Sequence, residues 1–267
     1  MKLVLMGTNS FVVPMFDAIL NAGHEIIAVF TRPPKPVGRK QILTPSPVHL
    51  WAQSHGLAVH TDISEYCYAP DMVVVVSYGV ILRDNVLQSA PCVNIHPSDL
   101  PQYRGPSPIR TAIYNGDDKS AVCLIKITPE LDAGDIYMRR EFSIGENDTN
   151  DTIESRVSEI GADMLVEYLK NPDKYTPAPQ NGPVTFTRKF TSADEVIDWS
   201  RGAQNIHNQI RAIGAGRTKI NGMDVKILET KITDGALEII RILPAGKKPM
   251  DWKSFVNGLR GAEIKIG

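Results

Sequence analysis

The sequence predicts an α/β fold, a three-layer domain built on a largely parallel sheet, followed by a small C-terminal β-rich, barrel-like domain. Three observations carry this. Short apolar runs, "KLVLM" at 2–6, "IIAVF" at 26–30, "MVVVV" at 72–76 and "CVNI" at 92–95, recur with helical patterns between them. The run at 72–76 is β-branched and apolar on both faces, as a strand buried within a parallel sheet must be. Near the end, Asn221-Gly222 and Asp234-Gly235 separate β-like runs, the pattern of antiparallel hairpins.

Each element follows from its own signal. After the first strand, Phe11, Met15 and Ile19, and beside them Val12, Phe16 and Leu20, stand at i, i+4 spacing and predict a helix. "PSPVHLWAQSHG" predicts a second, with Ser46 as its cap and Gly56 as its stop. "AVCLIKI" at 121–127 continues the strand series. A long helix is predicted over Thr152–Lys170, with Ile153, Val157, Ile160, Met164 and Tyr168 as its buried stripe. The stretch 171–187 holds four prolines and reads as a linker or wrap-around segment. Ile206, Ile210 and Ile213 then mark one face of a further helix. The boundaries expected are a first domain over 1–170, a linker over 171–187 and a short second domain over 188–267.

At 267 residues, with 42% hydrophobic and 22% charged content, the chain has ample material for a globular core. No apolar run approaches the roughly 20 residues of a membrane helix, so no membrane association is expected. "MKLVLMGTNS" reads as a first strand rather than a signal peptide. Cys67, Cys92 and Cys123 are odd in number and lack metal-ligand spacing, which suits reduced, mostly buried thiols in a cytoplasmic protein without a metal. The net charge of −1 conceals an asymmetry: residues 188–267 carry 14 Lys+Arg against 9 Asp+Glu, and the first 187 carry 15 against 21. A basic tail on an acidic body suits a polyanion such as nucleic acid, and ordinary surface variation accounts for the count equally well.

Two stretches carry possible chemistry. "MGTNSF" passes from strand to helix, where Gly7 and Thr8 would offer backbone amides to a phosphate or a substrate end; it lacks G-x-G-x-x-G, which disfavours a dinucleotide. "VNIHPSDLPQYRGPSP" at 93–108 places Asn94 and His96 two apart on a strand, hence on one face. An Asn amide and a protonated imidazole there could stabilise the oxyanion of an attacked acyl or formyl carbon. A buried histidine held by a backbone carbonyl, with Asn94 bonding a turn, is the structural alternative. A carboxylate from "TPELDAGDIY" at 128–137 would favour the charged imidazole and fix its orientation. Asp132 and Asp135 both qualify, although Asp135 better suits the start of the next strand.

"NIHPSDLPQYRG" followed by "ELDAGDI" resembles the formyltransferases that use 10-formyltetrahydrofolate. The resemblance implies a Rossmann-like formyltransferase domain in which Asn94, His96 and Asp132 act together. The 38-residue spacing from Asn94 to Asp132 matches the family pattern and selects Asp132 over Asp135. Ser98, Asp99, Leu100 and Pro101 match the folate-contacting turn, with Asp99 where the family usually has leucine. Tyr78, Gly79, Val80 and Leu82, in "SYGVIL", would lie against the pterin. "RPPKPVGRKQILTPSPV" at 32–48 is similar to a basic loop of the members that formylate methionine on charged initiator tRNA. It implies acceptor-arm contacts by Arg39, Lys35 and Lys40, with Gly7, Thr8, Lys247 and Lys248 as further substrate or tRNA contacts. A nucleotide-linked amino sugar is the alternative acceptor, and a monomer is expected.

Overall fold

The computed structural model describes residues 1–38 and 40–267, so Arg39 lies outside the described residues. Strand β1 (Lys2–Gly7) leads through a 3-10 turn into helix α1 (Val13–Asn21), and β2 (Glu25–Phe30) follows. The Pro-rich basic stretch, read from the sequence as a loop, contains a short hairpin of β3 (Lys35–Val37) and β4 (Ile42–Thr44), exposed along its length. Helix α2 (Pro47–Ser54) is capped as predicted, Ser46 Oγ accepting from His49 N at 3.0 Å. Next come β5 (Val59–His60), β6 (Met72–Val76), α3 (Asp84–Leu87), β7 (Cys92–His96), α4 (Pro108–Asn115), β8 (Lys119–Lys126) and β9 (Ile136–Ser143). Helix α5 (Asn150–Lys170) buries Ile153, Val157, Met164 and Tyr168. The remaining elements are α6 (Ala203–Ile213), β10 (Gly216–Ile220), β11 (Met223–Thr233), β12 (Ala236–Pro244), β13 (Met250–Asp251) and α7 (Trp252–Gly258).

The chain divides into two compact units. The first comprises Met1–Pro106, Ala121–Phe142 and Glu154–Phe186; the second comprises Ser107–Ser120, Ser143–Ile153 and Thr187–Gly267. Most of the Pro-rich stretch therefore belongs to the first unit, where Ala178 pairs with Ile136 and Phe186 with Arg104.

The first unit is organised by a seven-stranded sheet in the order β5-β2-β1-β6-β7-β8-β9. Strands β5, β2, β1, β6 and β7 run parallel, and β8 turns antiparallel against β7. The fully buried β6 lies between β1 and β7, as its β-branched run requires. Val4, Met6, Phe30, Val73 and Val75 share one core with Tyr66 and Val86. Burial of each such side chain contributes about 1.5–3 kcal/mol. The cysteines are free and mostly buried, as expected: Cys92 and Cys123 lie inside, where burial pushes both thiols up to about 11, and Cys67 is exposed. No helix among the described residues is long and apolar enough to cross a membrane.

In the second unit the β-rich segment is a four-stranded antiparallel sheet, order β10-β11-β12-β13. This is the small C-terminal β-rich domain expected from the sequence, and strand β10 is bridged further by Val196 at Arg217 and by Ile266 at Ile220. Both predicted hairpins form where expected, with Asn221 at φ +49° and Asp234 at φ +50° in the turns. Helix α6 packs Ile206 and Ile210 against Ile220, Val225, Ile227 and Ile242. Its other face is buried too. There His207 Nε2 donates to Glu146 O at 3.0 Å, Nδ1 faces Thr230 Oγ1 at 2.9 Å, and Arg211 Nη1 donates to Gly145 O and Asp148 O. Burial holds the His207 imidazole below the ordinary histidine range.

Candidate active site

Strand β7 ends in the sequence Asn94-Ile95-His96, so its two polar side chains share one face while Ile95 enters the core. Asn94 is half-buried, and its amide finds no hydrogen-bond partner among the described residues. His96 is buried, and its Nε2 donates to Tyr103 O at 3.0 Å. A carbonyl can only accept, so Nε2 carries the proton and Nδ1 is the ring position left for other chemistry. Nδ1 lies 3.7 Å from Asp132 Oδ2, and the two side chains are 5% and 14% exposed.

That separation is an ion-pair distance just beyond hydrogen-bond reach, which leaves the Nδ1 position open to a third group. Asp132 Oδ2 also accepts from Gly105 N at 2.8 Å. One turn thus serves both partners, through the Tyr103 carbonyl and the Gly105 amide. Asp135 stands one residue ahead of β9, where its carbonyl accepts from Lys126 N. It is Asp132 that reaches the imidazole. The carbonyl-held histidine weighed as a structural alternative is real at Nε2; the other side of the same ring faces the carboxylate.

The turn after His96 is built from its own side chains. Ser98 is fully buried and its Oγ donates to Gln102 O at 2.7 Å, while Cys123 Sγ donates to Ser98 O. Leu100 is buried against Cys123 and Ile125, and the Leu100–Pro101 peptide is cis. Asp99 accepts from Arg139 Nε at 2.6 Å, an ion pair that no sequence signal announced. Asp99, Leu100, Pro101 and Arg139, with Gln102, Asn181 and Pro183, line a cavity of about 360 Å³ that contains none of Asn94, His96 and Asp132.

At the carboxyl ends of β1 and β6 two loops are tied together. Thr8 Oγ1 donates to Tyr78 O at 3.2 Å and Asn9 Nδ2 to Ser77 Oγ at 2.8 Å. Gly7 is required here, since a Cβ would meet Val12 Cγ1 at 2.8 Å and Val76 O at 3.0 Å. Tyr78 is buried, and desolvation pushes its phenol up to about 12. Leu82 packs partly into the core; Val80 is 38% and the neighbouring Ile81 81% exposed. Lys35 and Lys40 are exposed on and beside the β3–β4 hairpin, whose Val37, Ile42 and Leu43 are exposed as well. In the second unit, Lys247 and Lys248 are exposed in the turn after β12.

Two further residues stand behind the site: Arg104 lies inside the "NIHPSDLPQYRG" stretch without a role assigned to it from sequence, and Gln180 sits among prolines that read as linker.

Residues 1–169 match the family described as formyl transferase, and residues 189–235 match the formyl transferase C-terminal domain. The chain is 36% identical to a methionyl-tRNA formyltransferase of Jannaschia sp. (strain CCS1), over 97% of either chain. Among solved structures it resembles an N-formyltransferase from Helicobacter canadensis in complex with folinic acid and dTDP-3-aminofucose, at 23% identity, 88% coverage of each chain and a TM-score of 0.69. A methionyl-tRNA formyltransferase from Clostridium thermocellum is 17% identical, with 91% of this chain and 98% of that one covered and a TM-score of 0.63. At these identities the solved structures speak to the fold.

Proposed function

The chain belongs to the formyl transferase family, and from that membership we propose that it transfers the formyl group of 10-formyltetrahydrofolate to the α-amino group of methionine on charged initiator tRNA. The observation that carries the chemistry is the convergence of Asn94, His96 and Asp132 at the end of β7, with Asp132 Oδ2 3.7 Å from the imidazole. The acceptor is supported by the likeness along nearly the whole chain to a methionyl-tRNA formyltransferase and by the exposed lysines of the β3–β4 hairpin and the 247–248 turn.

The neutral amine attacks the formyl carbon directly. An α-amino group titrates near pKa ~8, so free amine is available at neutral pH without a strong base. The Tyr103 carbonyl fixes the ring of His96, and the imidazolium donates from Nδ1 to the formyl oxygen as it becomes an oxyanion. Asn94 supplies the second donor from its amide, which has no partner among the described residues. Asp132 offsets the imidazolium charge and accepts, through water, the proton shed by the attacking nitrogen. The new carbon–nitrogen bond forms, the bond to N10 breaks, and a proton delivered to N10 leaves tetrahydrofolate.

The exposed edge at Val80 and Ile81 and the turn at 98–101 are the surfaces assigned to the folate. All of these groups come from one chain, so a monomer suffices, acting beside translation in the cytoplasm. The reading is tested by supplying 10-formyltetrahydrofolate with charged initiator tRNA and, separately, with a nucleotide-linked amino sugar. Transfer to the tRNA that falls steeply with added salt is expected. Transfer confined to the sugar would replace the acceptor, and release of formate without transfer would overturn the reading.

A further inference from the structure

The side chain of Gln180 ties the two halves of the site into one frame. Its amide nitrogen donates to Asp132 O and to Gly134 O, each at 2.8 Å. Its Oε1 accepts from Arg104 Nε at 3.1 Å and Nη2 at 2.8 Å. All four hydrogen-bonding positions of the amide are therefore used. Arg104 is buried, and its Nη1 also donates to Glu130 Oε1 at 3.3 Å.

The neighbours of Arg104 give this contact its meaning. Tyr103 presents the carbonyl that holds His96 Nε2, and Gly105 presents the amide that holds Asp132 Oδ2. The Arg104–Gln180 contact thus couples the turn that orients the histidine to the backbone of the loop that carries the carboxylate. The Pro-rich stretch grips the same turn a second time. Thr185 Oγ1 accepts from Tyr103 N at 2.8 Å, and Thr185 O accepts from Arg104 N at 2.9 Å.

Both loops need such support. Tyr103 lies at φ +60° and Asp132 at φ +49°, left-handed conformations that persist only where surrounding contacts over-determine them. At Gly134 the loop presses so closely on β8 that a Cβ would sit 1.8 Å from Lys126 O. His96 and Asp132 are separated by 3.7 Å, so a small drift of the loop takes the carboxylate out of useful range.

We propose that Gln180, acting through Arg104 and the Asp132 loop, is a positioning residue for formyl transfer: it holds the carboxylate of Asp132 in register with His96. The inference rests on the reading of Asn94, His96 and Asp132 as the catalytic set. Gln180→Glu keeps acceptors for Arg104 but turns an oxygen toward the Asp132 and Gly134 carbonyls. Gln180→Met keeps the length of the side chain and removes all four bonds.

Steady-state formyl transfer is measured with each variant, together with thermal melting and the ring resonances of His96 by NMR. A kcat lower by about 10- to 100-fold is expected in both, from a displacement on the order of 1 Å. The KM for 10-formyltetrahydrofolate should stay within about twofold, because the 98–101 turn keeps its own bonds. The His96 ring resonances should shift in the folded variants. Arg104→Lys, which keeps a charge and loses the fork, should fall between wild type and Gln180→Met.

A kcat within about threefold of wild type in folded Gln180→Glu, or a loss expressed wholly in KM, overturns the proposal. Should Gln180→Met melt too low to assay, Gln180→Glu and the ring resonances decide, and unchanged resonances overturn the proposal. An inactive wild-type enzyme would instead defeat the formyl-transfer reading, and the ring resonances would still report whether Gln180 holds the loop.

Discussion

Replacing Asp132 by asparagine removes one negative charge, and with it the acceptor for the amine's proton, while the shape of the side chain is kept. The amide has the shape of the carboxylate, and its oxygen can still accept from Gly105 N, so the loop keeps its anchor. What is lost is the attraction between a carboxylate and an imidazolium 3.7 Å away, in a site where the side chains are 14% and 5% exposed. At an effective dielectric near 20, two unit charges at that distance interact by about 4 kcal/mol. The asparagine dipole retains part of this, so about 2–4 kcal/mol of stabilisation disappears from a transition state that contains the imidazolium. At about 1.36 kcal/mol per tenfold, kcat should fall about 30- to 1,000-fold. Single-turnover transfer from 10-formyltetrahydrofolate is the assay, with the KM for folate and the melting temperature as controls. A kcat within threefold of wild type would refute the assignment of Asp132 as the charge partner of His96.

Three other outcomes follow from the same physical picture. Asn94→Ala should lower kcat by about 10²–10³-fold, as loss of one oxyanion donor does, yet leave denaturant stability unchanged because the amide has no partner among the described residues; a stability loss above about 1 kcal/mol would show a structural role instead. His207 titrates lower in the folded protein because it is buried, so the unfolded chain takes up its proton first as the pH falls. Its contribution is complete above the ordinary histidine value of about 6.5 and is lost below it, at no more than about 1.4 kcal/mol per pH unit; the urea midpoint should be lower at pH 5.5 than at 7.5, and His207→Gln should flatten that difference. Lys35→Ala combined with Lys40→Ala should raise the KM for charged tRNA and reduce the logarithmic salt slope by about 1.5, with formylation of a small amine unaffected; an unchanged slope would remove the hairpin from the tRNA surface.

What could be read before the structure was known depended on how local each signal is. Ser46 as a cap and the Asn-Gly and Asp-Gly turns are decided within a few residues, and all three stand where the sequence put them. Helix α6 shows the opposite case. Ile206, Ile210 and Ile213 announced one buried face, but His207, Asn208, Gln209 and Arg211 are buried as well, because segments distant in sequence supply their hydrogen bonds. The β3–β4 hairpin was hidden among prolines, in strands of three residues each. At the site, Asn94 and His96 were legible as a pair because a strand enforces their common face. Choosing Asp132 over Asp135 required the family resemblance, since either carboxylate could reach the ring by chain length. Arg104 and Gln180 meet across 76 residues, and no spacing rule predicts such a contact.

Formyl transfer at this site requires that His96 act on the formyl oxygen and not merely fill the end of β7. His96→Ala should therefore be compared with wild type in single-turnover transfer to charged initiator tRNA, with tRNA binding measured in the same samples. A rate at least about 10²-fold lower, with tRNA affinity within about twofold, is the predicted result. Transfer at close to the wild-type rate would contradict the account.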